Sequence, residues 1–221
     1  MNTGSNKVLN INHQSGKKNL PGSKGEKEAQ KKYHSEKRAL AFYNNQMLNY
    51  LNPLMCEFIA LQEMVFISTA DAHGECDASF RAGLPGFVHI LDNQTIAFPE
   101  YRGNGVMASI GNILENQHIG LVFIDFFKSK IGLHVNGRAC IVDNEAMLNR
   151  PNIRPKLISD IKRSDGQRAE CWILIKIEEA YIHCSKHIPR LKKLDGKSFW
   201  GTDDETHKGG DFFKAKHCSR L

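Results

Sequence analysis

The chain has 221 residues, 41% of them hydrophobic, with a formal net charge of +6. That is enough apolar material for one sizeable core, and no apolar run is long enough to span a membrane. The charge excess is local: residues 1–38 hold nine Lys/Arg and three Glu, while the remainder balances at 21 basic and 21 acidic side chains.

A basic leader can bind nucleic acid or an anionic surface weakly. The balanced remainder offers no basic excess, so nucleic acid is not an expected partner. The six cysteines, Cys56, Cys76, Cys140, Cys171, Cys184 and Cys218, contain no Cys-x-x-Cys pair and no small disulfide framework. The N-terminal residues lack the apolar core of a secretory signal. Cytoplasmic localisation and no membrane association are the resulting expectations.

In chain order, residues 1–24 are polar and aperiodic, and are expected to form a disordered basic leader. A helical pattern runs from Glu26 to Leu51, with Ala39, Phe42, Tyr43, Met47, Leu48, Tyr50 and Leu51 as an apolar stripe expected to pack on the main domain. Asn52-Pro53 stops it and caps a second helix reaching about Gln62. The period then changes to two. Strands are expected at 64–70, 76–80, 86–91, 95–98, 119–126, 131–142 and 171–177, with a hairpin turn at 71–75. Asn136-Gly137 predicts a bulge or bend. One helix, 106–116, interrupts the strands, and 145–168 reads as mixed helix and loop. Many short strands with tight turns and one inserted helix predict a closed antiparallel barrel. The domain is expected to span 25–200, followed by a flexible tail at 201–221.

Two loops carry chemistry. Arg102-Gly103-Asn104-Gly105 immediately precedes the inserted helix, whose unpaired first amides and positive dipole end make a candidate phosphate seat beside Arg102. Ser79 to Phe87 supplies a hydroxyl, the Arg81 guanidinium, and Gly83 and Gly86, which leave room for a ligand near the backbone. The alternative is a pair of ordinary connections with surface arginines. His183, Cys184 and His187 are too few for a zinc site without a second cluster, so no metal is expected.

Several of these stretches together resemble a known family. Phe66 to Gly74, Ser79 to Phe87, Tyr101 to Gly105, Gly111 to Asn116 and Leu133 to Ala139 are similar to the pyridoxamine 5'-phosphate oxidase-related, FMN-binding split-barrel family. Within it they resemble the short flavin-nucleotide-binding subgroup, whose flanking motifs match Gly25-Glu26, Ala29-Gln30 and Cys184 with His187-Ile188-Pro189.

The resemblance implies a mainly β fold, a six-stranded antiparallel split barrel with N-terminal helices. It also implies a homodimer with FMN sites at the subunit interface. Carried over by position, Arg81 and Arg102 would hold the FMN phosphate with Ser79, Asn104 and Gly105, and with Gly83 in the adjoining turn. Pro99 and Tyr101 would line the flavin, and Lys186, His187 and Arg190 are candidate cations near its ring. Leu121, Phe123 and Leu133 are expected at or behind the dimer interface.

The implied activity is FMN-dependent oxidoreduction of a small substrate by hydride transfer. The alternative is a non-catalytic flavin- or heme-binding module of the same fold. The flavin-facing glutamine of pyridoxamine phosphate oxidases falls near Gly132, and their C-terminal Trp and Arg substrate motif has Trp200 as a loose match. The resemblance therefore does not extend to oxidation of vitamin B6 phosphate, and no catalytic acid or base is assigned.

Overall fold

The computed structural model describes residues 21–163, 168–194, 196, 199–202, 204–207 and 209–218. The expected disordered leader lies, for residues 1–20, outside the described residues. The chain divides into two compact units between Asn45 and Gln46.

The first unit holds α1 (Lys24–Lys32) and α2 (Glu36–Gln46). A capping box starts α1: Ser23 accepts from the Glu26 amide while the Glu26 carboxylate takes the Ser23 amide. The expected continuous helix is broken at His34, whose φ of 52° is left-handed, and no α1 or α2 residue is buried. Leu51, the last residue of the expected apolar stripe, is buried in the barrel core.

The second unit is the barrel. Its strands are β1 (Met47–Leu48), β2 (Met64–Ala70), β3 (Cys76–Ala82), β4 (His89–Asp92), β5 (Thr95–Glu100), β6 (His118–Ile124), β7 (Gly132–Val142) and β8 (Cys171–His183). All pairings are antiparallel, in the order β3-β2-β6-β7-β8-β5-β4, with β1 added to β8. The two ends of this path, β3 and β4, do not pair, which makes the barrel split. The fold is thus mainly β with helices, as the resemblance implied, although among the described residues the sheet counts eight strands.

Period-two burial explains which way each strand faces. In β2, Val65, Ile67 and Thr69 are buried while Phe66 and Ser68 are exposed. Leu121, Phe123, Leu133, Val135, Ile173 and Ile175 meet them inside the barrel, joined by Leu51 and by Ile59 of α3 (Pro53–Ala60). Leu121, Phe123 and Leu133 are accordingly barrel core, behind any surface these strands present.

β5 is buried on both faces. Ile96 and Phe98 point into the barrel, while Ala97 meets a second cluster, Met147, Leu157, Ile161 and Trp172. That cluster seats α5 (Asn144–Leu148) and α6 (Pro155–Ile161) behind β5 and β8. Trp172 satisfies its indole by donating to Asn144 Oδ1 at 2.9 Å.

The predicted bulge is real, but its extra residue lies on the partner strand. Asn136 pairs with Glu179 and Gly137 with Ile177, so Glu178 is the unmatched residue. A Cβ on Gly137 would stand 2.1 Å from the Lys176 carbonyl oxygen, so only glycine permits this approach. At the β6–β7 turn, burial works against the Asp125 charge. The amides of Phe127, Lys128 and Ser129 and the Ser129 hydroxyl outweigh it and hold Asp125 at about 2.

Within 201–218, the described residues form short 3-10 turns at Glu205–His207 and Ala215–His217.

Candidate functional site

A cavity of about 450 Å³ opens where β3, the loop after β5 and the start of α4 (Ala108–Glu115) converge. Alternation along β3 turns Asp77, Ser79 and Arg81 to this side. Opposite them, β5 ends at Glu100 and Tyr101 continues into Gly103, Asn104 and Gly105. The loop is shaped locally. Asn104 Oδ1 accepts from the Val106 amide at 3.0 Å, Gly105 has φ +81°, and Met107 takes a left-handed turn at φ 56°. Met107 gives α4 no side-chain cap, so the positive end of the helix meets the cavity wall at Ala108, Ser109 and Ile110.

The polar wiring is dense. Arg81 Nε donates to Glu100 Oε2 at 2.9 Å, and its Nη1 donates to Ser79 Oγ at 2.6 Å and to the Phe80 carbonyl at 3.0 Å. Ser109 Oγ donates to Asp77 Oδ2 at 3.0 Å. Burial raises the Glu100 carboxyl above the usual glutamate range; the Arg81 guanidinium pulls it back, and Glu170 pushes it further up.

Of the residues expected to bind a cofactor, Ser79, Arg81, Tyr101, Asn104 and Gly105 line this one cavity. Arg102 belongs to the same loop, with an exposed side chain outside the lining. Pro99 lines a second, smaller cavity of about 50 Å³ with Phe87, Lys156, Asp160 and Trp200, and Tyr101 borders both.

Gly83 lies in neither: a Cβ there would meet Phe87 at 2.5 Å, so the space over it is filled by that ring. Likewise Lys156 Nζ fills the space over Gly86 and donates to the Pro85 and Gly86 carbonyls. Lys186 and His187 sit in a 3-10 turn after β8, and Arg190 Nη2 donates to the Lys128 carbonyl at 3.3 Å; none of the three lines either cavity.

Sequence reasoning missed Asp77, Glu100 and Ser109. The signal for Asp77 was present, two residues before Ser79 on an alternating strand. Glu100 and Ser109 gain their place only through pairing across distant segments.

On the opposite face of the sheet, one row crosses five strands in register: Phe80, Phe66, Val122, His134 and Tyr181. Phe66 and Phe80 are 43% and 49% exposed, with ring centroids 5.4 Å apart. His134 stacks on Tyr181 at 4.7 Å.

No curated protein matches the chain. Among solved structures, a putative pyridoxamine 5'-phosphate oxidase of Lactobacillus delbrueckii is 16% identical, with a TM-score of 0.45 over 62% of this chain and 98% of that one. HupZ of Group A Streptococcus is 19% identical, with a TM-score of 0.43 over 60% and 93%. The heme storage protein HutZ of Vibrio cholerae is 13% identical, with a TM-score of 0.38 over 60% and 94%. The family model described as pyridoxamine 5'-phosphate oxidase matches residues 51–184, which take in every strand from β2 to β8 and the whole lining of the larger cavity. That match covers more than half of the chain, and the chain belongs to the pyridoxamine 5'-phosphate oxidase family.

Proposed function

We propose that the chain is an FMN-binding flavoprotein whose larger cavity seats the FMN phosphate, and that it acts as an FMN-dependent oxidoreductase on a small substrate. One observation carries this reading. Arg81, Ser79, Asn104 and the uncapped start of α4 converge on one cavity, a donor set that suits a phosphate. Arg102 would add its charge from the loop. Tyr101, bordering both cavities, would shield one edge of the flavin, with Pro99 beside it.

When bound, FMN supplies hydride chemistry at its N5. The residues of this chain hold its phosphate, orient its ring and exclude water. Lys186, His187 and Arg190 lie outside this cavity, so a role at the ring would require them to come from a second subunit. The row Phe80, Phe66, Val122, His134 and Tyr181 is the face on which a second copy would dock, giving a homodimer with shared sites. Among the described residues no helix is long and apolar enough to cross a membrane, which suits a cytoplasmic location.

The test is an absorbance spectrum of the purified protein before and after NADPH or NADH. Flavin bands that bleach support the oxidoreductase. Flavin bands inert to every donor support a non-catalytic flavin module, and a Soret band supports a heme-binding one.

A further inference from the structure

Among the described residues, Arg81 is the one Lys or Arg in the cavity wall, and its Nε and Nη1 donors are already engaged. Nε is held by the Glu100 carboxylate, and Nη1 by the Ser79 hydroxyl and the Phe80 carbonyl. A guanidinium grips a phosphate best with two neighbouring donors at once. Either pair of neighbouring donors, Nε with Nη2 or Nη1 with Nη2, includes one of these occupied positions. The partner that a phosphate displaces most naturally is the one it resembles, the carboxylate. We propose that Glu100 competes with the ligand's phosphate for Arg81, so that seating the phosphate releases Glu100 from the guanidinium and places a proton on it. This inference rests on the reading of the cavity as the FMN phosphate seat.

The surroundings decide where the released charge goes. The Arg81 and Glu100 side chains are 16% and 12% exposed, so neither can simply swing into bulk water. The neighbours facing Glu100 are mostly acidic or neutral. Glu170, whose amide donates to the Glu100 carbonyl, lies beside it. Cys171, its register partner on β8, has its thiol pushed to about 11 by burial, then by Glu100 and Glu170. Asp77 occupies the β3 wall of the same cavity, tied to Ser109. Arg102 and the phenol of Tyr101 stand in the adjoining loop.

Without Arg81, a mostly buried carboxylate would face this set together with an incoming dianion. Neutralisation costs less than keeping that charge. The balance is simple: the carboxylate takes one proton from solvent and becomes a carboxylic acid, with no electron transfer. Burial already raises the Glu100 carboxyl above its ordinary value while Arg81 is still in place.

Two consequences set this cavity apart from a plain arginine clamp. First, a ligand must bring an anion strong enough to replace a carboxylate, which selects a phosphomonoester over the neutral flavin. Second, affinity falls as pH rises, by up to about tenfold per unit across the window between the two Glu100 ionisations. The phosphate's own second ionisation, near ~6, works in the opposite direction. A decline on the alkaline side is therefore attributable to the protein.

The experiment is calorimetric titration of the full chain with FMN and with riboflavin, in buffers of different ionisation enthalpy, from pH 6.5 to 8.5. The expected result is uptake of up to roughly one proton per FMN, none with riboflavin, and an FMN affinity that declines with pH. Glu100→Gln should abolish the uptake, flatten the decline and tighten FMN binding at pH 8.5. FMN binding tighter than riboflavin but without proton uptake would overturn the competition while leaving the phosphate seat standing. Equal binding of FMN and riboflavin, or binding of neither, would overturn both. Should Glu100→Gln fail to fold, the proton count on the unaltered protein decides alone.

Discussion

His134 and His183 face each other across β7 and β8 with Nε2 of the first 2.8 Å from Nδ1 of the second. One ring nitrogen donates and the other accepts, in roles set by the tautomers. Burial, then the nearness of His183, lowers the His134 pKa below its ordinary value of 6.5. A histidine whose folded pKa is depressed binds its proton more readily in the unfolded chain. Its contribution to stability is present above pH 6.5 and is lost as pH falls towards the folded value. Urea midpoints should therefore drop between pH 7 and 5.5. His134→Phe, which keeps the stack on Tyr181, should remove that part of the drop; an unchanged profile would take the pair out of the acid response.

The arginines are expected to separate FMN from riboflavin. Arg102→Ala should cost a charge-assisted hydrogen bond, about 1.5–3 kcal/mol, or roughly ten- to a hundred-fold in FMN affinity. Riboflavin binding should be unaffected. Arg81→Ala should cost at least as much and also lower thermal stability, because it strands Glu100. Equal losses for both ligands would mean that the arginines support the fold and not the phosphate.

Gly137 and Gly120 make a matched pair of substitutions on the same sheet. A Cβ on Gly137 collides with the backbone of Lys176, which cannot move without breaking the β7–β8 ladder. Gly137→Ala should destabilise by about 3 kcal/mol or more, the upper end of overpacking costs. A Cβ on Gly120 meets Asn136 Oδ1 at 3.3 Å, a side chain that can give way. Gly120→Ala should cost under about 1 kcal/mol. Chemical denaturation of the two variants reads the difference directly.

Assembly is tested at Phe66 and Phe80, which lie on the face away from the barrel core. Light scattering at micromolar concentration should give a dimer for the unaltered chain. A Phe66→Glu, Phe80→Glu double variant should be monomeric, still folded by circular dichroism, and poorer in FMN. A double variant that stays dimeric would place the interface elsewhere.

Much of the barrel is written in local pattern. The alternation of β2 and the 71–75 turn follow from period and composition alone, and Asn136-Gly137 announced its irregularity. Other features depend on partners far along the chain. Glu178 and Glu179 side by side break the alternation of β8, so the strand expected to end at 177 runs on to His183. The reason is that Glu178 is the bulge residue, a fact visible only opposite Gly137. β1 is two residues long and exists because β8 offers it an edge. The helix break at His34 has no composition signal. For the site, Ser79, Arg81 and the 101–105 loop were legible as chemistry-bearing residues, whereas the Arg81–Glu100 bond joins residues 19 apart through the sheet.

β8 is bordered by β7 from Trp172 to His183 apart from the bulged Glu178, by β5 from Cys171 to Lys176, and by β1 at Ala180 and Tyr181. It is also the last of the eight strands in sequence. On the ribosome, β5 would wait with its β8-facing edge unpaired until residues 171–183 emerged, and β7 would hold a bare edge over the same interval. The barrel is thus a structure completed from its C-terminal side in one late step, with long-range pairings that form slowly. During synthesis, the edges of β5 and β7 are the surfaces that a chaperone, or a neighbouring nascent chain, would meet first.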